Sequence, residues 1–212
     1  MQKLFKNKLF KSVKIMPSCV NNIAGSIGLN CEKPIEGGYT GRAVLIPIGT
    51  AGLVLTRNSQ NPRIISNISF NEAAKLVKAD NEGMTTPFEG SNSTGNNDAG
   101  FTKFVKAFAM RIPQRGAQFA ADVLEPLVKS GRGFIIVAEK IDTVGDGSFE
   151  VIGSGSPAKV VDPSTVTRDE NANGGVCSLT LQSSEFYAEC TLFDTDYATT
   201  LAKFEALLAA CY

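Results

Sequence analysis

The chain has 212 residues, 43% of them hydrophobic and 20% charged, with 21 basic and 21 acidic side chains and no net charge; this length suits one domain with extensions, and the apolar share is enough for a core. It holds no histidine and no tryptophan. The missing histidine removes the Ser-His-Asp triad, the Cys-His dyad, the usual histidine-containing metal sites and the common general base near neutral pH, leaving lysine, carboxylate or cysteine chemistry.

Residues 1–16 carry five lysines (Lys3, Lys6, Lys8, Lys11 and Lys14) and no acid, so the rest of the chain is mildly acidic. A mildly acidic body lacks the basic face that tight nucleic-acid binding needs. Lysines interrupt the apolar residues of this extension, so it does not read as a secretory signal. Three readings of it stay open: a membrane-surface helix, an arm that docks on a neighbouring subunit, and read-through upstream of a natural start at Met16. No apolar run anywhere is long enough to span a membrane.

Residues 17–41, rich in Gly, Asn and Pro, read as an extended arm, followed by a single domain over 42–212. Ala43–Ile48 and Leu53–Thr56, split by Gly49 and Gly52, predict a hairpin. Arg63–Phe70 predicts a strand, and Ala73–Ala79 a strand in preference to a helix. Residues 80–100 lose all periodicity and read as a long loop, one that reaches a neighbouring subunit; on that reading, deleting Gly90–Asp98 leaves the fold intact.

Phe101–Ile112 alternates and predicts a long strand. Phe104, Phe108, Met110 and Ile112 share one face with Lys106, while Lys103 and Arg111 lie on the other. Gln114–Ser130 predicts a helix with the stripe Phe119, Val123, Leu124, Leu127 and Val128 at helical spacing, ended by Gly131 and kinked by Pro126. Its apolar stripe is expected to pack on the protein's own sheet, with Leu124 as an anchor. Gly133–Ile141, a turn at Gly145–Gly147 and Ser148–Ile152 predict a hairpin. Ala158–Val161 is a strand and 162–174 a polar loop. Val176–Leu181 and Phe186–Phe193 predict a second hairpin around Ser183 and Ser184. A final helix follows, capped by Asp194 or Thr195, with Leu201, Phe204, Leu207 and Leu208 on one face.

No catalytic, cofactor-binding or metal-ligating residue stands out. Gly153–Pro157 (GSGSP) lacks the phosphate-loop signature and reads as a turn. Asp142, Asp146 and Glu150 surround a tight turn but do not have calcium-loop spacing. Lys103, Lys106, Arg111 and Arg115 form a basic cluster without interleaved aromatics for base stacking, so a solvated face or a subunit salt bridge is the expectation. None of Cys19, Cys31, Cys177, Cys190 and Cys211 forms a CxxC pair, and the odd number argues against a full disulfide framework; the reading is reduced thiols, mostly small core residues, with a Cys19–Cys31 pair left open.

The run FTKFVKAFAMRI, QRGAQFAADVLEPLVKSG, GFIIVAEKI, GDG and SFEVIG, from Phe101 to Gly153, resembles the central part of tail tube proteins from phages and prophages of Bacteroidetes-type bacteria. GGVCSLTLQSSEFYAECTLFDTD is similar to that family's glycine-led final hairpin, and NNIAGSIGLNCEKPIEGGYTG to its N-terminal arm. The resemblance spans residues 17–210 and excludes the basic extension. It implies a mainly β fold, a β-sandwich or barrel of tail-tube type, with one central helix packed on the sheet and a C-terminal helix. It further implies a structural virion protein with no enzymatic activity and no cofactor. Subunits would form stacked, hexameric rings whose inner strands join into one barrel, assembled in the host cytoplasm. Partners would be copies of the chain, other tail proteins, and genomic DNA passing without specific binding. Two alternatives are another virion component of related fold (a terminator, hub or head-completion protein) and a carbohydrate-binding module. The absence of tryptophan argues against the latter.

Overall fold

The computed structural model describes residues 38–71, 76–80, 88–96, 102–112, 117–141, 145–161 and 177–211. All of them belong to one compact unit, Ile35–Tyr212. The protein is mainly β, with two sheets, a central helix and a C-terminal helix.

The seven-stranded sheet has the order β2 (Val54–Arg57), β3 (Ile64–Ser69), β11 (Thr191–Leu192), β8 (Phe149–Ile152), β7 (Phe134–Lys140), β1 (Tyr39–Pro47) and β4 (Val77–Asp80). The four-stranded sheet has the order β5 (Phe88–Asn96), β6 (Thr102–Ile112), β10 (Cys177–Glu185) and β9 (Lys159–Val160). The strand pairs are antiparallel except β11 with β3.

Strand periodicity explains the two cores. On β7 the near-continuous apolar run divides by alternation: Phe134, Ile136 and Ala138 face one cluster, Ile135 and Val137 the other. On β1, Ala43 and Leu45 divide from Val44 and Ile46 in the same way. Both strands are therefore buried on two faces, which needs apolar residues at successive positions. The first cluster joins the two sheets, adding Phe88, Phe108, Met110, Leu179 and Leu181 from the four-stranded sheet. The second is covered by the C-terminal helix Tyr197–Ala209, through Phe204 and Leu207. Phe149 meets Phe204 there, with ring centroids 4.9 Å apart.

The C-terminal helix has the expected apolar face, but its N-cap is Asp196, not Asp194 or Thr195. Asp196 Oδ1 accepts from Thr199 N–H at 2.7 Å and satisfies a donor that the helix cannot. A bidentate Arg42–Glu139 pair, 2.7 Å and 2.8 Å long, supports the helix from below. Arg42 reaches Glu205 on the helix at 2.5 Å and lies over the Phe204 ring at 5.6 Å.

The central helix is interrupted. Ala117–Phe119 and Glu125–Lys129 are α-helical, whereas Ala120–Leu124 is π-helical, with Glu125 N–H donating to Ala120 O. Pro126 has no N–H to give and its ring crowds the carbonyl four residues back, so widening the preceding turn removes the conflict that a kink would otherwise relieve. The extra residue rotates the apolar stripe. Leu127 is buried, Val123 and Val128 pack beside it on the inter-sheet core, and Leu124 is only half-buried. Leu127, not Leu124, is therefore the anchor. Leu127→Ala is expected to cost about 2–5 kcal/mol and Leu124→Ala less than half as much, measured by chemical denaturation.

Four other sequence expectations change. The arm expected to run to residue 41 yields Tyr39, Thr40 and Gly41 to β1. β1 and β2 do not form a hairpin: β1 pairs with β4 and β7, while β2 lies on the far edge beside β3. Two successive turns, Thr50 N–H to Pro47 O at 3.1 Å and Leu53 N–H to Thr50 O at 3.2 Å, link them. Turns hold their ends within about 7 Å, whereas five flat strand spacings would measure about 24 Å. The sheet must therefore curl to bring β2 within reach. β1, buried on both faces, takes an interior place between β7 and β4, and the more exposed β2 takes the edge.

The stretch read as a loop contains β5, which pairs with β6 in unbroken register from Phe88↔Met110 to Asn96↔Thr102. Residues 81–87 and 97–100 lie outside the described residues. Gly, Ser and Asn have poor strand propensity, but β6 supplies a complete ladder and Phe88 an apolar anchor, so tertiary context overrides propensity. Deleting Gly90–Asp98 would remove most of this strand. Ser183 and Ser184, likewise, are not a turn. β10 continues through them to Glu185, pairing with β6. Ser183 is buried and its hydroxyl donates to Glu185 at 3.3 Å, so a polar residue is tolerated inside the strand. β11 then crosses to the other sheet.

Candidate functional site

The alternation that buries Phe108 and Met110 also carries Lys106 into the space between the sheets, leaving it 2% exposed. A buried ammonium needs an opposite charge at hydrogen-bond range. Glu150, on β8 of the other sheet, provides it, with Lys106 Nζ at 2.5 Å from Oε1. The second oxygen accepts from the Tyr39 hydroxyl at 2.9 Å and has Lys140 Nζ at 3.4 Å. Lys140 in turn pairs with Glu189. These groups line a cleft of about 490 Å³ together with Gly90, Ser91 and Asn92 of β5.

The charges set each other's protonation. Burial raises Glu150, but Lys106 and Lys140 outweigh it and hold the carboxyl below its ordinary value. Burial lowers Lys140, but Glu150 and Glu189 hold it above its own. Burial and the Glu150 charge push the Tyr39 phenol far up. A depressed carboxylate contributes stability that is present above its unfolded value near 4.5 and is lost as the pH falls through the folded value. A raised phenol or lysine contributes stability that is lost as the pH rises, for Tyr39 above about 10. Denaturation midpoints are thus expected to fall on both sides. Glu150→Gln should flatten the acid limb and Tyr39→Phe the alkaline limb; limbs unchanged in both variants would contradict the assignment.

A second buried carboxylate explains the Gly-rich turn at 153–157. Gly153 N–H and Gly155 N–H donate to the two oxygens of Glu185 at 2.6 Å and 2.8 Å. The backbone donors that a phosphate would require are occupied by the protein's own side chain. Gly153 is required there: its φ is +89°, and a Cβ would stand 2.4 Å from Phe134 O. Burial holds the Glu185 carboxyl above its ordinary value despite these bonds. Its effect on stability is therefore opposite in sign to that of Glu150, being greatest in acid.

The residues singled out from sequence separate. Of the basic cluster, Lys106 is buried in the ion pair, Arg111 pairs with Glu89 at 3.3 Å, Lys103 lies over the Phe186 ring at 5.3 Å, and Arg115 lies outside the described residues. Of the three acids considered for calcium, Glu150 is committed to Lys106, Asp146 is exposed, and Asp142 lies outside the described residues. Among the described residues no cluster of histidine, cysteine or acidic side chains could hold a metal ion. Cys190 is a buried free thiol and Cys211 a half-buried one, which burial pushes up to about 11. Cys19 and Cys31 lie outside the described residues. The Lys106–Glu150 pair and the Glu185 site were missed in sequence. The available signal for the first was a lysine on an otherwise apolar strand face.

The sheet edges differ in kind. β2 carries a register shift at Thr56/Arg57, β4 has four residues including Lys78 and Asp80, and β9 has two residues including Lys159. β5 has nine residues, no proline, no lysine and no register shift, and Glu89 is its one charge. Among the described residues no strand pairs with its outer edge. The outward face of its sheet presents Ser91, Ala107, Ala109, Thr180, Gln182 and Ser184, as the alternation with buried Phe108 and Leu181 requires. No helix among the described residues is long and apolar enough to cross a membrane. No protein-family model matches the chain, and neither a curated protein nor a solved structure matches it.

Proposed function

We propose that this chain is a non-enzymatic structural subunit that assembles with copies of itself into stacked rings, the conduit of a phage tail. The single observation that carries the reading is the outer edge of β5, which no strand among the described residues pairs. An exposed strand edge is a template for another strand, and proteins that stay monomeric blunt such edges with lysine, proline, bulges or brevity. Among the described residues, three of the four sheet edges are blunted in those ways, and β5 is not. A head-to-tail contact through one such edge closes into a ring when the rotation allows it. The two sheets facing each other across a shared core support the finer reading of a tail-tube-type sandwich.

The outward face of the four-stranded sheet suits a channel wall. Its central side chains are small or uncharged, and its basic residues Lys103 and Arg111 are engaged by Phe186 and Glu89. A surface of that kind neutralises few phosphates and so would let DNA pass without gripping it. Size-exclusion chromatography with light scattering, at rising protein concentration, tests the reading. The expected result is a mass that climbs to a ring or higher; a mass that remains that of one protomer at every concentration would sink it.

A further inference from the structure

One wall of the charged cleft is the open-edge strand itself. Gly90, Ser91 and Asn92 of β5 line it, opposite Tyr39 and Glu150 of the seven-stranded sheet. After Phe88 the strand reads EGSNSTGN and offers no large apolar side chain to the core. Phe88 itself is held by Phe108 and Tyr39, with ring centroids at 5.1 Å and 6.5 Å. Beyond it, β5 depends on its ladder to β6 and on the polar groups of the cleft. Those groups fit closely. A Cβ at Gly90 would stand 2.6 Å from Tyr39 Oη, an atom fixed by its hydrogen bond to Glu150. Lys106 is the register partner of Asn92, whose side-chain N–H donates to Ala188 O at 2.9 Å.

We propose that the cluster centred on Glu150 is a positioning device for β5, setting how the open edge is held against the seven-stranded sheet. Glu150 draws Lys106 on β6 and the Tyr39 hydroxyl on β1 toward one point, and Gly90 lies on that hydroxyl without an intervening side chain. Neutralising Glu150 removes the attraction that keeps the two sheets at this separation beside β5. The β6–β10 ladder is held independently by Phe108, Met110, Leu179 and Leu181. Loosening should therefore be local to the edge strand. The proposal rests on the reading of β5 as the assembly edge only for its consequence, which is that the edge is presented in one orientation.

Hydrogen–deuterium exchange on the full chain, at a concentration where it is a single protomer, tests this. In Glu150→Gln, which keeps an acceptor for Tyr39 but removes the charge, the β5 amides bonded to β6 are expected to exchange at least about tenfold faster, with the β6–β10 amides within about twofold of wild type. The double variant Lys106→Met/Glu150→Leu, which leaves no unpaired buried charge, should show the same local gain and replaces Glu150→Gln if that variant does not fold. Unchanged β5 protection in a folded variant overturns the proposal, and so does an equal rise in β5 and β10, since that is global destabilisation. Microscopy of the wild-type protein separates the two ideas. A local β5 effect without rings would leave the positioning role standing and remove the assembly reading; rings with unchanged β5 protection would do the reverse.

Discussion

Placing lysines on the open edge, as Ser91→Lys/Ser93→Lys, is expected to abolish ring formation while leaving the protomer folded. Both serines are exposed and lie on the outward face of β5. Ser93 is not among the residues that line the charged cleft, and an exposed position of that kind changes stability by less than about 0.5 kcal/mol; Ser91 borders the cleft, so its own cost is read from denaturation of Ser91→Lys alone. Lysine on an edge strand is the usual device against edge pairing, because a joining strand would have to desolvate it. Two such charges at every joint are expected to raise the concentration needed for assembly at least about a hundredfold, since mismatched charge at an interface costs several kcal/mol. Light scattering reads the assembly, and chemical denaturation of the same samples reads the fold. A loss of assembly accompanied by a large fall in stability would not support the account, nor would rings of normal yield.

Glu150→Ala is expected to be the most damaging single substitution in the protomer, at about 3–5 kcal/mol. It leaves Lys106 2% exposed with its nearest carboxylate gone, and takes the acceptor from Tyr39 as well. Lys106→Met/Glu150→Leu should cost far less, within about 1 kcal/mol of wild type, because a buried pair repays its desolvation only in part and an apolar pair of similar volume avoids it. Thermal and chemical denaturation of Lys106→Met, Glu150→Leu and the double variant completes the cycle, with Glu150→Ala measured beside them. Equal losses in Glu150→Ala and in the double variant would mean that packing, not the stranded charge, sets the cost.

Where the sequence was readable, it was so through periodicity. β3, β6, β7, the Phe149–Ile152 strand and the C-terminal helix lie close to where alternation and helical spacing put them, because each has one face or both faces in a core. Lys106 was misread: the sequence pointed to a solvated face or a subunit salt bridge, although its place beside Phe108 and Met110 was a signal of burial. Its partner was not legible, since Glu150 lies 44 positions away on another sheet. On the central helix the predicted stripe does meet the core through Val123, Leu127 and Val128, but the anchor is Leu127 and not Leu124, a distinction within one stripe that spacing alone does not make. The β5 strand was hidden because its stability is borrowed from β6, and its own residues are those of loops. Ser183 and Ser184 misled for the same reason: turn-forming residues remain in a strand when neighbours satisfy their polar groups.

Negative-stain electron microscopy of the purified wild-type chain, beside Ser91→Lys/Ser93→Lys, tests the central claim most directly. Rings or tubes about 100 Å wide, the size implied by several domains of about 17 Å radius around a channel, are expected for the first protein. Dispersed protomers are expected for the second. Dispersed protomers in both, at high concentration, would contradict the assignment of a self-assembling structural subunit, and rings in both would contradict the assignment of β5 as the edge that joins them.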